Sequence, residues 1–107
     1  MAAQPDQTPV LDLLASMTAD SLEASNLDPE TLMLVRIAAL VAVDAPGGSY
    51  LMNLGVAADA GVEAEQLQGV LAAVAPIVGA PRVLSAAGRM ADALGVAIDL
   101  GQAGGVE

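Results

Sequence analysis

Cysteine, histidine, lysine, tryptophan and phenylalanine are all missing from these 107 residues, and the only aromatic is Tyr50. Without cysteine there is no disulfide and no thiolate nucleophile. Without histidine there is no imidazole base, and the ordinary zinc ligand sets are gone. Neither a metal nor a cofactor is expected. A core with so few rings has to be built from Leu, Val, Ile, Met and Ala, which bury little large apolar area per residue. Subunit contacts are therefore expected to supply part of the stability. Positive charge is scarce as well: Arg36, Arg82 and Arg89 stand against 13 acidic residues, giving a net charge of -10. Such a surface repels nucleic acid and anionic membrane, so neither is an expected partner. The longest apolar run, Ile37 to Val43, falls short of the roughly 18 residues of a membrane span, even extended back through Arg36 to Leu32. Residues 1–6 carry no basic region and no apolar stretch, so no signal peptide is expected and the reading is a cytoplasmic protein.

What is present is abundant apolar content, 55% of the residues, in helical rather than alternating spacing. The expected architecture is all-α: about five helices in one domain over 8–98, a mobile arm at 1–7 and a flexible tail at 99–107. Thr8-Pro9 can open a first helix running to about Ser21, with Val10, Leu11, Leu14 and Met17 at helical spacing. Asp28-Pro29-Glu30 opens a second, to about Val43, apolar nearly all round but for Arg36 and therefore expected to be central or at a subunit contact. After the Asp44-Ala45-Pro46-Gly47-Gly48 loop, Ser49 can cap a third helix with Leu51, Leu54 and Ala58 inward and Gly61 as its left-handed stop. A fourth begins near Glu63, with Leu67, Val70, Leu71, Val74, Ile77 and Val78 facing the core and Pro76 loosening its last turn. The fifth follows Gly79-Ala80-Pro81, with Val83, Leu84, Ala87, Met90, Ala91 and Leu94 inward.

The order Leu27-Asp28-Pro29-Glu30-Thr31, then Leu34-Val35-Arg36-Ile37-Ala38, a Gly-rich loop, Ala57 to Gly61, and Glu65-Gln66-Leu67 resembles the carboxymuconolactone decarboxylase family, in whose superfamily the alkylhydroperoxidase-D-like proteins also fall. The resemblance covers about residues 27–95. It implies a helical subunit assembling into trimers or hexamers, with a pocket near subunit contacts. The thiol peroxidase branch carries Cys-x-x-Cys, then a histidine, with a glutamate on the preceding helix. Counted back from Gly61, those positions fall on Pro46 and Ser49, on Asn53 and near Leu34. None of these residues supplies a thiolate or relays a proton, so the resemblance does not bring thiol peroxidase chemistry with it. The decarboxylase branch lacks the cysteine pair but also has histidine where Asn53 stands.

Four residues are candidates for binding a ligand. Ser49 is a hydroxyl that also reads as a helix cap, and Tyr50 is a phenol that also reads as a packing residue. Asn53, one turn after Ser49, is an amide able to orient a carbonyl or carboxylate but not to act as a base. Arg36 is a lone cation in an apolar helix; it needs Asp28, Asp44, Asp59 or a neighbouring subunit's carboxylate as partner, or else an anionic ligand. Arg82 and Arg89, seven apart, share a helix face and read as solvated or salt-bridged. Met33, Met52 and Met90 read as gap-fillers. Three functions follow: a homo-oligomer binding a small, mainly apolar or anionic ligand; a histidine-independent decarboxylase or lactone-processing enzyme positioned by Arg36, Tyr50 and Asn53; or a structural, partner-binding oligomer.

Overall fold

The computed structural model describes residues 8–102, and each helix boundary in it has a local cause. Helix α1 (Thr8–Ser25) ends where Asn26 turns left-handed at φ 55, a conformation that asparagine tolerates better than most residues. Helix α2 (Pro29–Ala42) follows an extended Asp28 and has Pro29 in its first turn, where a missing N–H costs nothing. It stops at Asp44, again left-handed at φ 55. Helix α3 (Gly47–Asp59) opens two residues before Ser49, with Pro46 in the capping position. Ser49 is thus not the cap; its N–H donates to Pro46 O at 3.0 Å inside the first turn. Gly61, at φ 99, is the stop expected of it.

Helix α4 (Ala64–Val78) is opened by Glu63, whose N–H donates to Gln66 Oε1 at 2.8 Å. The Gln66 amide also donates to Glu30 Oε2, tying the start of α4 to the start of α2. Pro76 is accommodated two residues from the end of α4, where few backbone bonds remain to be lost. Helix α5 (Ala80–Gln102) follows Gly79 and extends past the expected boundary at residue 98. The expected arm at 1–7 and most of the expected tail, 103–107, lie outside the described residues. Among the described residues all regular structure is helical, and no helix is long and apolar enough to cross a membrane.

Helix α2 is the centre. It packs on α3, α4 and α5, while α5 packs on α3 and α4. Its Met33, Ile37 and Val41 meet Tyr50, Leu54 and Ala57 of α3, Leu67 of α4, and Ala86, Met90 and Ala93 of α5. The inward faces of α3 and α5 differ from those read off the spacing. On α3 the buried set is Tyr50, Leu54 and Ala57, with Leu51 and Ala58 outward; on α5 it is Ala86, Met90 and Ala93, with Leu84 and Ala91 outward. Ile77 is 86% exposed rather than in the core. In a chain this rich in alanine, small residues can face a close-packed neighbour while leucines remain outside, so apolar spacing alone does not choose the face.

Helix α1 stands apart. It has no buried residue, and Val10, Leu11, Leu13, Leu14, Met17 and Leu22 are all exposed. The radius of gyration, 15.8 Å, exceeds the roughly 13 Å of a compact domain this long. An amphipathic helix is what the spacing predicts; its apolar stripe simply has no core of its own chain to enter.

Two of the three arginines fasten the α2–α3 connection to α5. Arg82 Nη1 donates to Ala42 O at 2.8 Å, satisfying a carbonyl at the end of α2. Arg89 Nη1 bonds Asp44 Oδ1 at 2.9 Å, Asp44 O at 3.2 Å and Ala45 O at 2.7 Å, and Ser85 Oγ donates to Asp44 Oδ1 at 3.1 Å.

This cluster borders Tyr50, which is 1% exposed. Burial pushes its phenol above the ordinary 10.0; the Arg89 charge opposes that and Asp44 adds to it. The unfolded chain therefore releases the phenolic proton first. Stability conferred by Tyr50 is intact below pH 10 and is lost as pH rises through the higher folded value. No lysine or cysteine titrates in that range. An alkaline melting series should thus show a decline beginning near pH 10 that Tyr50→Phe removes. A decline of equal size in Tyr50→Phe would assign it elsewhere.

Candidate functional site

The second half of α1 leans over α2 and α3 without closing on them, leaving a cleft of about 610 Å³, within the usual range for small-molecule sites. Thr18 and Leu22 of α1 form one wall, and Leu27 lies in the turn. Pro29, Leu32, Met33 and Arg36 of α2, Met52, Asn53 and Val56 of α3, and Ala60 just after α3 complete it. A shallower lobe of about 350 Å³ adjoins it, lined by Met17, Thr18, Ser21, Arg36, Ala39, Leu40 and Asn53. Thr18, Arg36 and Asn53 belong to both lobes and so mark the waist between them. The rest of the larger lobe is hydrocarbon or thioether.

Helical geometry explains which candidates meet. On α3, residues 52, 53 and 56 share one side and residues 50, 54 and 57 the other. Asn53 therefore reaches the cleft, and Tyr50, three positions earlier, enters the core. Ser49 is half-buried and absent from the lining; its carbonyl accepts from Asn53 Nδ2 at 2.9 Å. That bond fixes which end of the Asn53 carboxamide carries the NH2 group and leaves its second N–H without a protein acceptor. The structure thus brings Arg36 and Asn53 together and places Ser49 and Tyr50 outside the cleft. Of the positions matched to the family's catalytic residues, Leu34 packs against the core and Pro46 is exposed.

Arg36 bonds none of the carboxylates considered for it. Its Nη2 donates to Thr18 O at 3.4 Å and to Ser21 Oγ, both on α1. Asp44 is engaged by Arg89, the only ion pair among the described residues. A half-buried guanidinium therefore borders an apolar cleft with neutral partners and no counter-ion. The α1 partners were not legible in the sequence, since nothing in Thr18 or Ser21 marks them as contacts of a residue 15 to 18 positions on. Met33 and Met52 line the cleft, while Met90 is in the core.

Chemically, the cleft offers a cation, an amide and one hydroxyl. It contains no Asp or Glu, and the chain contains no His or Cys. A ligand can be oriented there, but the lining supplies no group that takes up a proton near neutral pH. Among the described residues no cluster of His, Cys, Asp or Glu is arranged to hold a metal ion.

No curated protein and no solved structure matches the chain. The family model for the carboxymuconolactone decarboxylase family matches residues 9–93. The match reaches further toward the N-terminus than the resemblance over 27–95, so α1 is part of the family's unit rather than an appendage. The chain belongs to the carboxymuconolactone decarboxylase family.

Proposed function

We propose that this member of the family is a homo-oligomeric binding protein that holds a small, mainly apolar molecule in the cleft between α1, α2 and α3, without thiol peroxidase chemistry. The observation that carries the reading is the lining itself: an apolar chamber with an unpaired guanidinium and an amide at its waist, and no base. Arg36 and Asn53 orient the polar end of the ligand; the leucines and methionines enclose its body. The bare stripe on the first half of α1 supports assembly, because contiguous exposed apolar surface of this kind marks protein contacts. A trimer or hexamer, as the family resemblance implies, would cover that stripe and set the cleft near a subunit contact.

Thermal melting with a varied set of small apolar acids and lactones tests the reading. A binder present at a hundred times its Kd adds about 2.7 kcal/mol, a rise in Tm of roughly 10 °C or more for a domain of this size. The rise should shrink in Arg36→Ala and Asn53→Ala. If no compound in the set moves the melting curve, the cleft is not a ligand site. Native mass spectrometry reads the assembly directly, and a monomer would overturn the oligomeric part.

A further inference from the structure

Helix α1 and the cleft share one deficiency: each lacks the material that would let it close. Thr18 and Leu22 on one wall face Met33, Met52 and Val56 on the other across open space, and no side chain of α1 is buried. What holds α1 to α2 is the pair of bonds from Arg36 to Thr18 O and Ser21 Oγ, both to neutral acceptors and both solvent-exposed. Such bonds are individually weak, whereas a guanidinium with a carboxylate forms shorter, paired, charge-assisted bonds. The protein has a net charge of -10, yet among the described residues no carboxylate meets this arginine. Apart from the waist, the walls offer no ring for stacking and no polar group to read a second functional group.

We propose that the ligand of this cleft is an aliphatic monocarboxylate, and that it serves as the missing core of α1, closing the helix onto α2 and α3. The inference rests on the ligand-binding reading above. The carboxylate sits at the waist, accepting from Arg36 and from the free N–H of Asn53, while the Ser21 hydroxyl is committed to Thr18 O at 3.1 Å. The hydrocarbon body fills the larger lobe and is covered by Leu22 and Leu27, which are now 48% and 43% exposed. Binding removes apolar surface from water on both walls at once, so occupancy and docking of α1 are one event.

The test uses the full chain with octanoate and its neutral counterpart octanol, reading affinity by calorimetry and α1 by hydrogen exchange. Octanoate is expected to bind at least about tenfold more tightly than octanol, as charge-assisted bonds imply. Arg36→Gln should weaken octanoate by about ten- to hundredfold and octanol by clearly less, so that the preference for the carboxylate shrinks. Saturating octanoate should slow exchange of the α1 amides by about tenfold or more, with a smaller change in α2. If neither compound binds, the ligand-binding reading falls and this inference with it. If both bind equally, or Arg36→Gln leaves the preference intact, the carboxylate assignment is overturned while the cleft stands as a binding site. If octanoate is preferred but α1 exchange does not slow, closure of α1 is overturned. The same holds if the second half of α1, the part that borders the cleft, is already protected without ligand in a manner that follows protein concentration, because a second copy then covers it.

Discussion

Ile37→Ala is expected to destabilise the fold by about 3 kcal/mol, a fall in Tm of roughly 15 °C. Ile37 is fully buried at the middle of the central helix and belongs to the cluster to which all four packed helices contribute. Removing its outer carbons forfeits transfer free energy and leaves a cavity. The surrounding residues, largely alanine, methionine and valine with one ring, fill that cavity only in part. Ile77→Ala is the paired control. Ile77 sits in an equally apolar stretch of sequence but is 86% exposed, so its loss should cost less than about 0.5 kcal/mol. Thermal and urea denaturation of the two variants decide the matter. Comparable losses would mean that Ile77 is covered in the protein as it exists, which would place a subunit contact on α4.

Gly79→Ala is expected to cost about 2 kcal/mol for a different reason. Gly79 joins α4 to α5 at φ 90 and ψ 157, a backbone conformation nearly confined to glycine. An added Cβ would meet only Pro81 Cδ, at 3.8 Å, an ordinary contact. The penalty is therefore backbone strain and not crowding, so trimming neighbouring side chains would not relieve it. Gly88→Ala should have the opposite sign. Gly88 is exposed within α5, with open space around the position of a Cβ, and alanine there stabilises a helix by about 0.5–1 kcal/mol. Chemical denaturation of both variants separates the two effects. A neutral Gly79→Ala would show that the connection relaxes to another turn.

The all-helical class and the helix junctions were legible because glycine, proline and Asx residues act locally. Asp28-Pro29, Gly61 and Gly79 each mark a boundary the structure contains. Gln66-Leu67 illustrates why a short motif can be informative: one residue closes the start of α4 and the next is buried. The choice of inward face was less legible. Helix–helix distance decides whether Ala57 or Leu51 faces inward, and that distance depends on the partner helix rather than on local spacing. At the candidate site, Arg36 and Asn53 stood out by residue type and do share the cleft. Tyr50 and Ser49 lie one helix side away, a rotation set by where α3 packs. The partners of Arg36 lie on α1, whose position against α2 has no signature in either stretch of sequence.

The way the arginines are used bears on how this fold responds to ionic strength. All three donate to main-chain carbonyls, and among the described residues only Arg89 also meets a carboxylate, with both side chains of that pair well exposed. Hydrogen bonds to carbonyls are screened far less than attractions between free ions at the surface. The long-range electrostatics of the chain are therefore dominated by mutual repulsion among its carboxylates, which reaches across about 10 Å at 0.1 M salt and shrinks as salt is added. Added electrolyte relieves strain in this molecule instead of loosening it, so the folded state is at its least favourable in dilute buffer.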